Sequence, residues 1–147
     1  MGTRLQSVIA DRSKVMAPVA GRPFLTYLLD QVIDFGLREV VLLTGHLGEQ
    51  LREELGDRYR NLTIRYSQET KPLGTAGALR AALPLLDADT ILLMNGDSYL
   101  DVDIRLLEDT HRRQHGRITL SVTQVEDTSR FGHVELGANQ LVLKFHE

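Results

Sequence analysis

The amino-terminal residues 2–14 contain the side chains whose types and spacing are best suited to chemistry. Arg4 and Lys14 stand ten residues apart and bracket a loop that opens with Gly2 and Thr3. A glycine lets backbone N–H groups approach a polyphosphate, and the Arg4 guanidinium adds a planar donor that is always charged. We therefore expect this loop to bind phosphate, although a Gly-Thr-Arg triplet alone is also common in ordinary surface loops.

The residues after this loop extend the pattern into a longer motif. Residues 14–23 read K-V-M-A-P-V-A-G-R-P, and residues 2–5 read G-T-R-L. In order and spacing this resembles the signature of the sugar-1-phosphate nucleotidyltransferases, GGxGTRL followed by a variable run and PKPMxPVxGKP. Ser13 and Val15 replace the two family prolines beside the lysine, and the strand and glycines that precede GTRL in the family are missing. We expect residues 1–147 to form one nucleotidyltransferase domain that is incomplete at both ends.

A second motif lies in mid-chain, where residues 72–79 read P-L-G-T-A-G-A-L. The family carries a closely similar segment that contacts the nucleotide base, so the resemblance implies substrate binding by Gly74 and Thr75. Glu69 stands where many relatives have a base-reading glutamine. An ionised carboxylate only accepts hydrogen bonds, and guanine presents two adjacent donors, N1–H and the N2 amino group. This favours GTP; the alternative is a solvated glutamate beside an ordinary glycine-rich helix entry.

The third motif is Asn95-Gly96-Asp97, directly after an apolar run. In the resembled family this aspartate binds Mg²⁺, a hard cation that favours one or two carboxylates with phosphate oxygens and waters. A turn or capping role is the structural alternative, and the family's second metal aspartate has no counterpart in this chain. The resemblance also implies sugar binding by Gly132, within R-F-G-H-V, and by Glu147.

Composition narrows the classes of function. The chain has 147 residues, 42% hydrophobic and 25% charged, with no cysteine and a net charge of −3. We expect a soluble cytoplasmic domain that binds neither nucleic acid, because a basic excess is missing, nor membrane, because no apolar run is long enough. The sequence lacks P-loop and dinucleotide-binding motifs, and His111 and His115 lack the intervening glutamate of a zinc helix, which favours a polar helix end.

The elements that must position these residues alternate between helix and strand. We predict helices at residues 23–35 with a stop at Gly36, at 47–55, at 76–86 with a break at Pro84, and from Asp103 to Gly116. We predict buried strands at 40–43 and 91–94, an alternating strand at 62–66, a further alternating segment at 118–122, and short strands between residues 132 and 145.

This order of elements predicts a Rossmann-like α/β fold. It consists of a layered, mostly parallel sheet with helices on both faces and a partly antiparallel carboxyl-terminal extension. Ligands of such sheets bind beyond the carboxyl ends of the strands. Residues 2–14, residues 69–77 and Asp97 all fall there, so we expect them to face one crevice.

The resemblance covers nearly the whole chain and implies an enzyme that joins a nucleoside triphosphate to a sugar 1-phosphate and releases pyrophosphate. Residues 23–30, P-F-L-T-Y-L-L-D, are most similar to members acting on D-glycero-D-manno-heptose 1-phosphate, with mannose 1-phosphate next. Such enzymes supply precursors of lipopolysaccharide or other surface polysaccharides. The catalytic residues implied are Arg4 on the triphosphate, Lys14 on the α-phosphate and Asp97 on Mg²⁺.

A catalytically silent module that binds a nucleotide or sugar phosphate, degenerate or regulatory, is the alternative function. The missing first strand, the altered Ser13 and Val15, and the absent second aspartate favour it. Turnover distinguishes the two, because a binding module releases no pyrophosphate. The sequence leaves the sugar and the oligomeric state open, and a homo-oligomer is compatible with it.

Overall fold

The computed structural model describes residues 14–128 and 132–146. Contacts divide the chain into two compact units, Met1–Asp101 and Val102–Glu147. Within the described residues, no helix is long and apolar enough to cross a bilayer. The elements of the first unit are the strands β1 (Pro18–Val19) and β2 (Arg22–Pro23), helix α1 (Phe24–Phe35), strand β3 (Glu39–Thr44), helix α2 (Gly48–Leu55), strands β4 (Arg58–Tyr59) and β5 (Leu62–Gln68), and helix α3 (Gly74–Ala82).

Helix α1 begins and ends where its sequence predicts. Pro23 precedes its first residue with φ −56°, a value that proline favours, and Gly36 ends it in the left-handed region with φ 107°. The Gly36 N–H donates to the Ile33 carbonyl (2.9 Å) and the Leu37 N–H to the Val32 carbonyl (3.1 Å), so carbonyls of the last turn are satisfied. The apolar residues recur at helical spacing and turn one face of α1 into the core.

The sheet of the first unit has the order β3-β5-β4. Strands β3 and β5 run parallel, from Glu39 beside Thr63 to Thr44 beside Gln68, and β4 joins β5 antiparallel. Helix α2 lies between β3 and β4 in the chain and ends at Gly56 with φ 73°. Because β3 and β5 are parallel and in register at their ends, the residues that follow them emerge at the same edge of the sheet.

The core lies between one face of this sheet and helices α1 and α2. Leu62 and Ile64 of β5 are 0% and 2% exposed. As alternate residues of a strand they point to the same face, where Val40 and Leu42 of β3 also pack. The helices contribute Leu25, Leu28, Leu29, Val32 and Leu51.

Helix α3 packs on β3 and β5, on the face of the sheet opposite to α1 and α2. Arg65 of β5, which alternation places away from the core side, donates to the Leu85 carbonyl at 3.2 Å just beyond this helix. The helix changes to a 3-10 turn at Leu83–Leu85, which confirms the break predicted at Pro84. Helices therefore cover both faces, as predicted.

The strand predicted at residues 91–94 is wrong. These residues form no strand, and Ile91 and Leu93 are 37% and 46% exposed. An apolar run becomes a strand only when a neighbouring strand accepts its backbone hydrogen bonds, and no described strand pairs with it. Burial still alternates, with Leu92 and Met94 less exposed than their neighbours.

A half-buried polar cluster holds the segment after Lys14 against α1. Strands β1 and β2 form a two-residue hairpin whose turn, Ala20 and Gly21, has positive φ at both positions. Arg22 then donates to Asp30 (2.5 Å) and Tyr59 (3.2 Å) and stacks over the Tyr27 ring at 4.5 Å.

The second unit contains helix α4 (Ile104–Gln114) and the antiparallel strands β6 (His133–Leu136) and β7 (Val142–His146). Asp103 caps α4 as predicted, because its carboxylate accepts from the Arg105 and Leu106 N–H groups at 2.9 and 3.3 Å. The alternating segment at residues 118–122 forms no strand. Ile118 is 81% exposed there, and alternation without a pairing partner does not make a strand.

Candidate functional site

Lys14 and Asp97, which the sequence assigned to the same site, lie in contact. The Lys14 Nζ donates to Asp97 Oδ2 at 2.7 Å, although 83 positions separate the two residues. Lys14 opens the 3-10 turn Lys14–Met16, and Asp97 follows residues 91–94. Their side chains are 39% and 45% exposed, so both charged groups are open to a ligand.

The carboxylate of Asp97 is stabilised in its charged form. The hydrogen bond from Lys14 is the main reason why the pKa of Asp97 lies below its ordinary value, and partial burial opposes it. The charge of Lys14 and a 3.3 Å hydrogen bond from the Ser98 hydroxyl act in the same direction as the main cause. At neutral pH Asp97 is an anion that can only accept hydrogen bonds or bind a cation.

Asp97 is suited to a metal ion whose other ligands come from a bound phosphate and from water. Within the described residues there is no group of three His, Cys, Asp or Glu side chains that could hold a metal. Mg²⁺ does not need such a cage, because it usually keeps several waters and binds one or two carboxylates together with substrate phosphates. Asp97 therefore fits as a single protein ligand and not as part of a closed site.

Glu69 lies at the edge of the sheet where β3 and β5 end. Its backbone N–H donates to the Thr44 carbonyl at 2.8 Å, and its Oε2 accepts from the Leu73 N–H at 3.2 Å. A Cβ placed on Gly45 would lie 3.8 Å from Glu69 Oε1. The carboxylate is thus held by the backbone of Leu73, the residue before α3, and faces the loop that follows β3.

A cavity of about 370 Å³ lies next to these residues, although its lining includes none of Lys14, Glu69 and Asp97. Val15, the neighbour of Lys14, lines it together with Thr44, Gly45 and His46 at the end of β3. The same Gly45 adjoins Glu69. Val15, next to Lys14, and Gly45, next to Glu69, therefore line the same concave region at the carboxyl edge of the parallel strands, and the single crevice for all three motifs stays a prediction.

The end of β3 and the loop after it are the part of this region that sequence reasoning missed. Thr44 is only 8% exposed, and its Oγ1 has no hydrogen-bond partner among the described residues. A Cβ on Gly48 would lie 2.5 Å from that oxygen, so this position requires glycine. The available signal was positional, because Thr44 and Gly45 end a predicted strand at the ligand-binding edge.

Glycine is needed at the two glycine positions of the mid-chain motif for different structural reasons. Gly74 begins α3 with φ 70°, a conformation that favours glycine. Thr75 follows it in the first turn, and the N-cap residue Leu73 makes no side-chain capping hydrogen bond. A Cβ on Gly77 would lie 2.8 Å from the Leu73 Cβ, so Gly77 is required by packing within the helix.

Comparison with known proteins decides the family. The nucleotidyl transferase family model matches residues 1–147. The chain belongs to this family. A D-glycero-alpha-D-manno-heptose 1-phosphate guanylyltransferase of Campylobacter jejuni is 34% identical over 147 residues, which are 100% of this chain and 64% of that protein. The enzyme of that name from Aneurinibacillus thermoaerophilus is 33% identical with the same coverage.

Further relatives extend the comparison. A mannose-1-phosphate guanylyltransferase of Mycobacterium tuberculosis is 35% identical over 99% of this chain and 41% of its own length. HddC from Yersinia pseudotuberculosis, solved in complex with GMP-PN, superposes with a TM-score of 0.79 at 26% identity, over 100% of this chain and 65% of HddC. The predicted family and the Rossmann-like fold class are confirmed. The chain spans 64% of the length of the two heptose relatives.

Several residues that the family resemblance assigned to the site are not part of the region described above. Gly2, Thr3, Arg4 and Glu147 lie outside the described residues, and their roles stay predictions. Gly132 lies in the second unit, where an added Cβ would come within 2.8 Å of Phe145 Cζ and 3.1 Å of the His146 carbonyl oxygen. The strand pairing in the hairpin therefore accounts for this glycine without a ligand, and its predicted sugar contact also stays a prediction.

The described residues also limit which side chains could bind a metal ion. Nucleotidyltransferases of this family generally use a divalent metal ion. Among the described residues that the sequence assigned to the site, Asp97 is the carboxylate suited to binding a metal ion. Lys14 is its ion-pair partner.

Proposed function

We propose that the protein transfers a guanylyl group from GTP to a sugar 1-phosphate of the manno-heptose or mannose type. The products are a GDP-sugar and pyrophosphate. The observation that carries this proposal is the Lys14–Asp97 contact at 2.7 Å, which joins the cation that we propose for phosphate to the anion that we propose for the metal ion. The guanylyltransferases named among the relatives support the choice of GTP and of these two sugars.

The reaction is an in-line displacement at the α-phosphorus of GTP. An oxygen of the sugar phosphate forms the new P–O bond, the bond from the α-phosphorus to the bridging oxygen breaks, and pyrophosphate leaves with that electron pair. The chain supplies alignment and charge neutralisation, so no protein nucleophile is needed. Lys14 holds the α-phosphate, and Arg4 steadies the triphosphate and the departing pyrophosphate.

Asp97 would hold the metal ion, which we propose to be Mg²⁺. When bound, Mg²⁺ would neutralise negative charge on the phosphate groups. A lone half-exposed carboxylate fits its preference for mixed protein, phosphate and water ligands. Lys14 then keeps the phosphate next to Asp97.

Glu69 would select the base. The Leu73 N–H occupies one lone pair of Oε2 and fixes the carboxylate, which leaves both oxygens able to accept from guanine N1–H and N2. A uracil or thymine ring offers a single such donor and pairs less well with two acceptor oxygens. The GMP-PN complex of HddC, a guanine nucleotide bound to a relative of the same fold, supports this reading.

Pyrophosphate release tests the proposal. The purified chain is incubated with Mg²⁺, one of the four common nucleoside triphosphates, and heptose, mannose or glucose 1-phosphate. We expect release that is fastest with GTP and that requires a manno-configured sugar phosphate. Heat of nucleotide binding in calorimetry without any pyrophosphate would instead support the non-catalytic binding module.

A further inference from the structure

The Lys14–Asp97 contact uses the same atoms that the proposed reaction requires. Asp97 Oδ2 accepts from Lys14, and Oδ1 accepts from Ser98, so one carboxylate oxygen faces an ammonium group directly. That ammonium group is the one assigned to the α-phosphate. While the two stay paired, Asp97 Oδ2 directs a lone pair at the ammonium group and not at a metal ion, and the charge of Lys14 is neutralised by the carboxylate and not by a phosphate.

The contact is accessible and has no third charged member in the described structure. Both side chains are more than one third exposed, and none of the ion pairs within residues 14–128 and 132–146 adds another charge to either. Opening the contact therefore requires no rearrangement of a buried network. A ligand in solvent can reach both groups and exchange with them.

We propose that Lys14 and Asp97 serve as counter-ions for each other in the free protein, and that a metal-bound triphosphate replaces both at once. This inference rests on the proposed function. Lys14 exchanges the carboxylate for phosphate oxygens, and Asp97 exchanges the ammonium group for the cation. A metal ion alone, or a triphosphate alone, opens the contact and leaves one partner without a counter-ion.

The consequence is positive coupling between the two ligands. Each ligand alone binds more weakly than its own contacts allow, and the loss is the free energy of the exposed ion pair. Such pairs give a roughly two- to five-fold change in an equilibrium constant. Removing one member of the pair should therefore tighten binding of the ligand that belongs to the other member.

Mn²⁺ binding without nucleotide, followed by electron paramagnetic resonance, tests the metal side. We expect Lys14→Gln to bind Mn²⁺ roughly two- to five-fold more tightly than the wild type. Lys14→Arg keeps the charge and the contact, and should stay at the wild-type affinity. Lys144→Gln removes one positive charge from strand β7 and should also leave Mn²⁺ affinity unchanged.

Binding of metal-free GTP in the presence of EDTA tests the reciprocal side. Asp97→Asn should tighten it by the same factor, since Lys14 is then free, and should weaken Mn²⁺ binding. If Lys14→Gln leaves Mn²⁺ affinity unchanged or weakens it while Asp97→Asn still abolishes Mn²⁺ binding, the exchange is overturned and the metal role of Asp97 stands. If Asp97→Asn leaves Mn²⁺ binding intact, both are overturned.

Discussion

Two aspartates of the first unit show how differently the same charge is used. Asp30 on α1 is 19% exposed and is held by Arg22 (2.5 Å), the Tyr59 hydroxyl (3.0 Å) and Arg60 (2.9 Å). Asp97 is 45% exposed, and in the described structure its side chain pairs with Lys14 and accepts a hydrogen bond from the neighbouring Ser98. A carboxylate surrounded by donors ties chain segments together, whereas one with a single exchangeable counter-ion is available to a ligand.

The comparison explains why one cluster is expected to affect stability and the other catalysis. The Asp30 cluster joins the β1–β2 hairpin, α1 and the turn after β4, so its loss loosens three segments. The Lys14–Asp97 contact joins two segments at the surface through one ion pair. Exposed pairs contribute about 0–1 kcal/mol to folding, so this contact adds little to the fold.

The largest expected effect is on turnover, when the Lys14–Asp97 pair is changed. Lys14→Ala removes a preorganised donor to the transferred phosphate, and should slow pyrophosphate release by about 10²–10³-fold. Arg4→Ala should act similarly on the leaving group. Steady-state rates with GTP and a sugar 1-phosphate measure both, with Lys144→Ala as the control. Wild-type rates in the Lys14 and Arg4 variants would reject the catalytic assignment.

The next largest effect is on stability, when the cluster around Asp30 is changed. Asp30→Asn removes the negative charge between two guanidinium groups and replaces one of the two acceptor oxygens by an amide donor, and should lower the free energy of unfolding by about 1–3 kcal/mol. Urea unfolding measures this change. Asp89→Asn removes the same charge from an exposed position and should have almost no effect. A loss of activity without a loss of stability in Asp30→Asn would contradict the division between the two clusters.

A smaller change should appear in base selectivity. Glu69→Gln replaces one acceptor oxygen by an amide donor, and should lower kcat/KM for GTP by roughly ten-fold while it raises acceptance of UTP. The ratio of the two kcat/KM values is the measurement. Glu53→Gln on the exposed side of α2 provides a matched control. An unchanged ratio would show that Glu69 does not read the base.

The smallest effect is on the pH dependence of stability. Because the folded-state pKa of Asp97 lies below its ordinary value of 3.8, its stabilising contribution is present above that value and is lost as the pH falls through the lowered pKa. Exposure limits the contribution to about 1 kcal/mol or less. Urea unfolding from about pH 6 to about pH 3 should show a slightly shallower loss of stability in Asp97→Asn than in the wild type. An equally steep loss in that variant would mean that the pair does not stabilise the fold.

Much of the fold could be predicted because its signals are local. Gly36 and Gly56 end helices α1 and α2, Pro84 ends α3, and Asp103 caps α4, each at the expected place. These signals depend on φ preferences and on hydrogen bonds within a few residues. The strand predicted at residues 91–94 is wrong, and the alternating segment at 118–122 forms no strand, because a strand also needs a distant partner, which periodicity does not supply.

The amino-acid sequence by itself determined the family motifs, the ends of the helices, and which side chains carry useful chemistry, because those depend on residue type and on near neighbours. Tertiary structure decided which of those side chains meet. Lys14 and Asp97 are 83 positions apart, and only the folded sheet and its helices bring the ammonium group and the carboxylate to 2.7 Å. The distinction between the open Asp97 and the enclosed Asp30 likewise arises from packing, since burial and the number of donors around a carboxylate are properties of the fold.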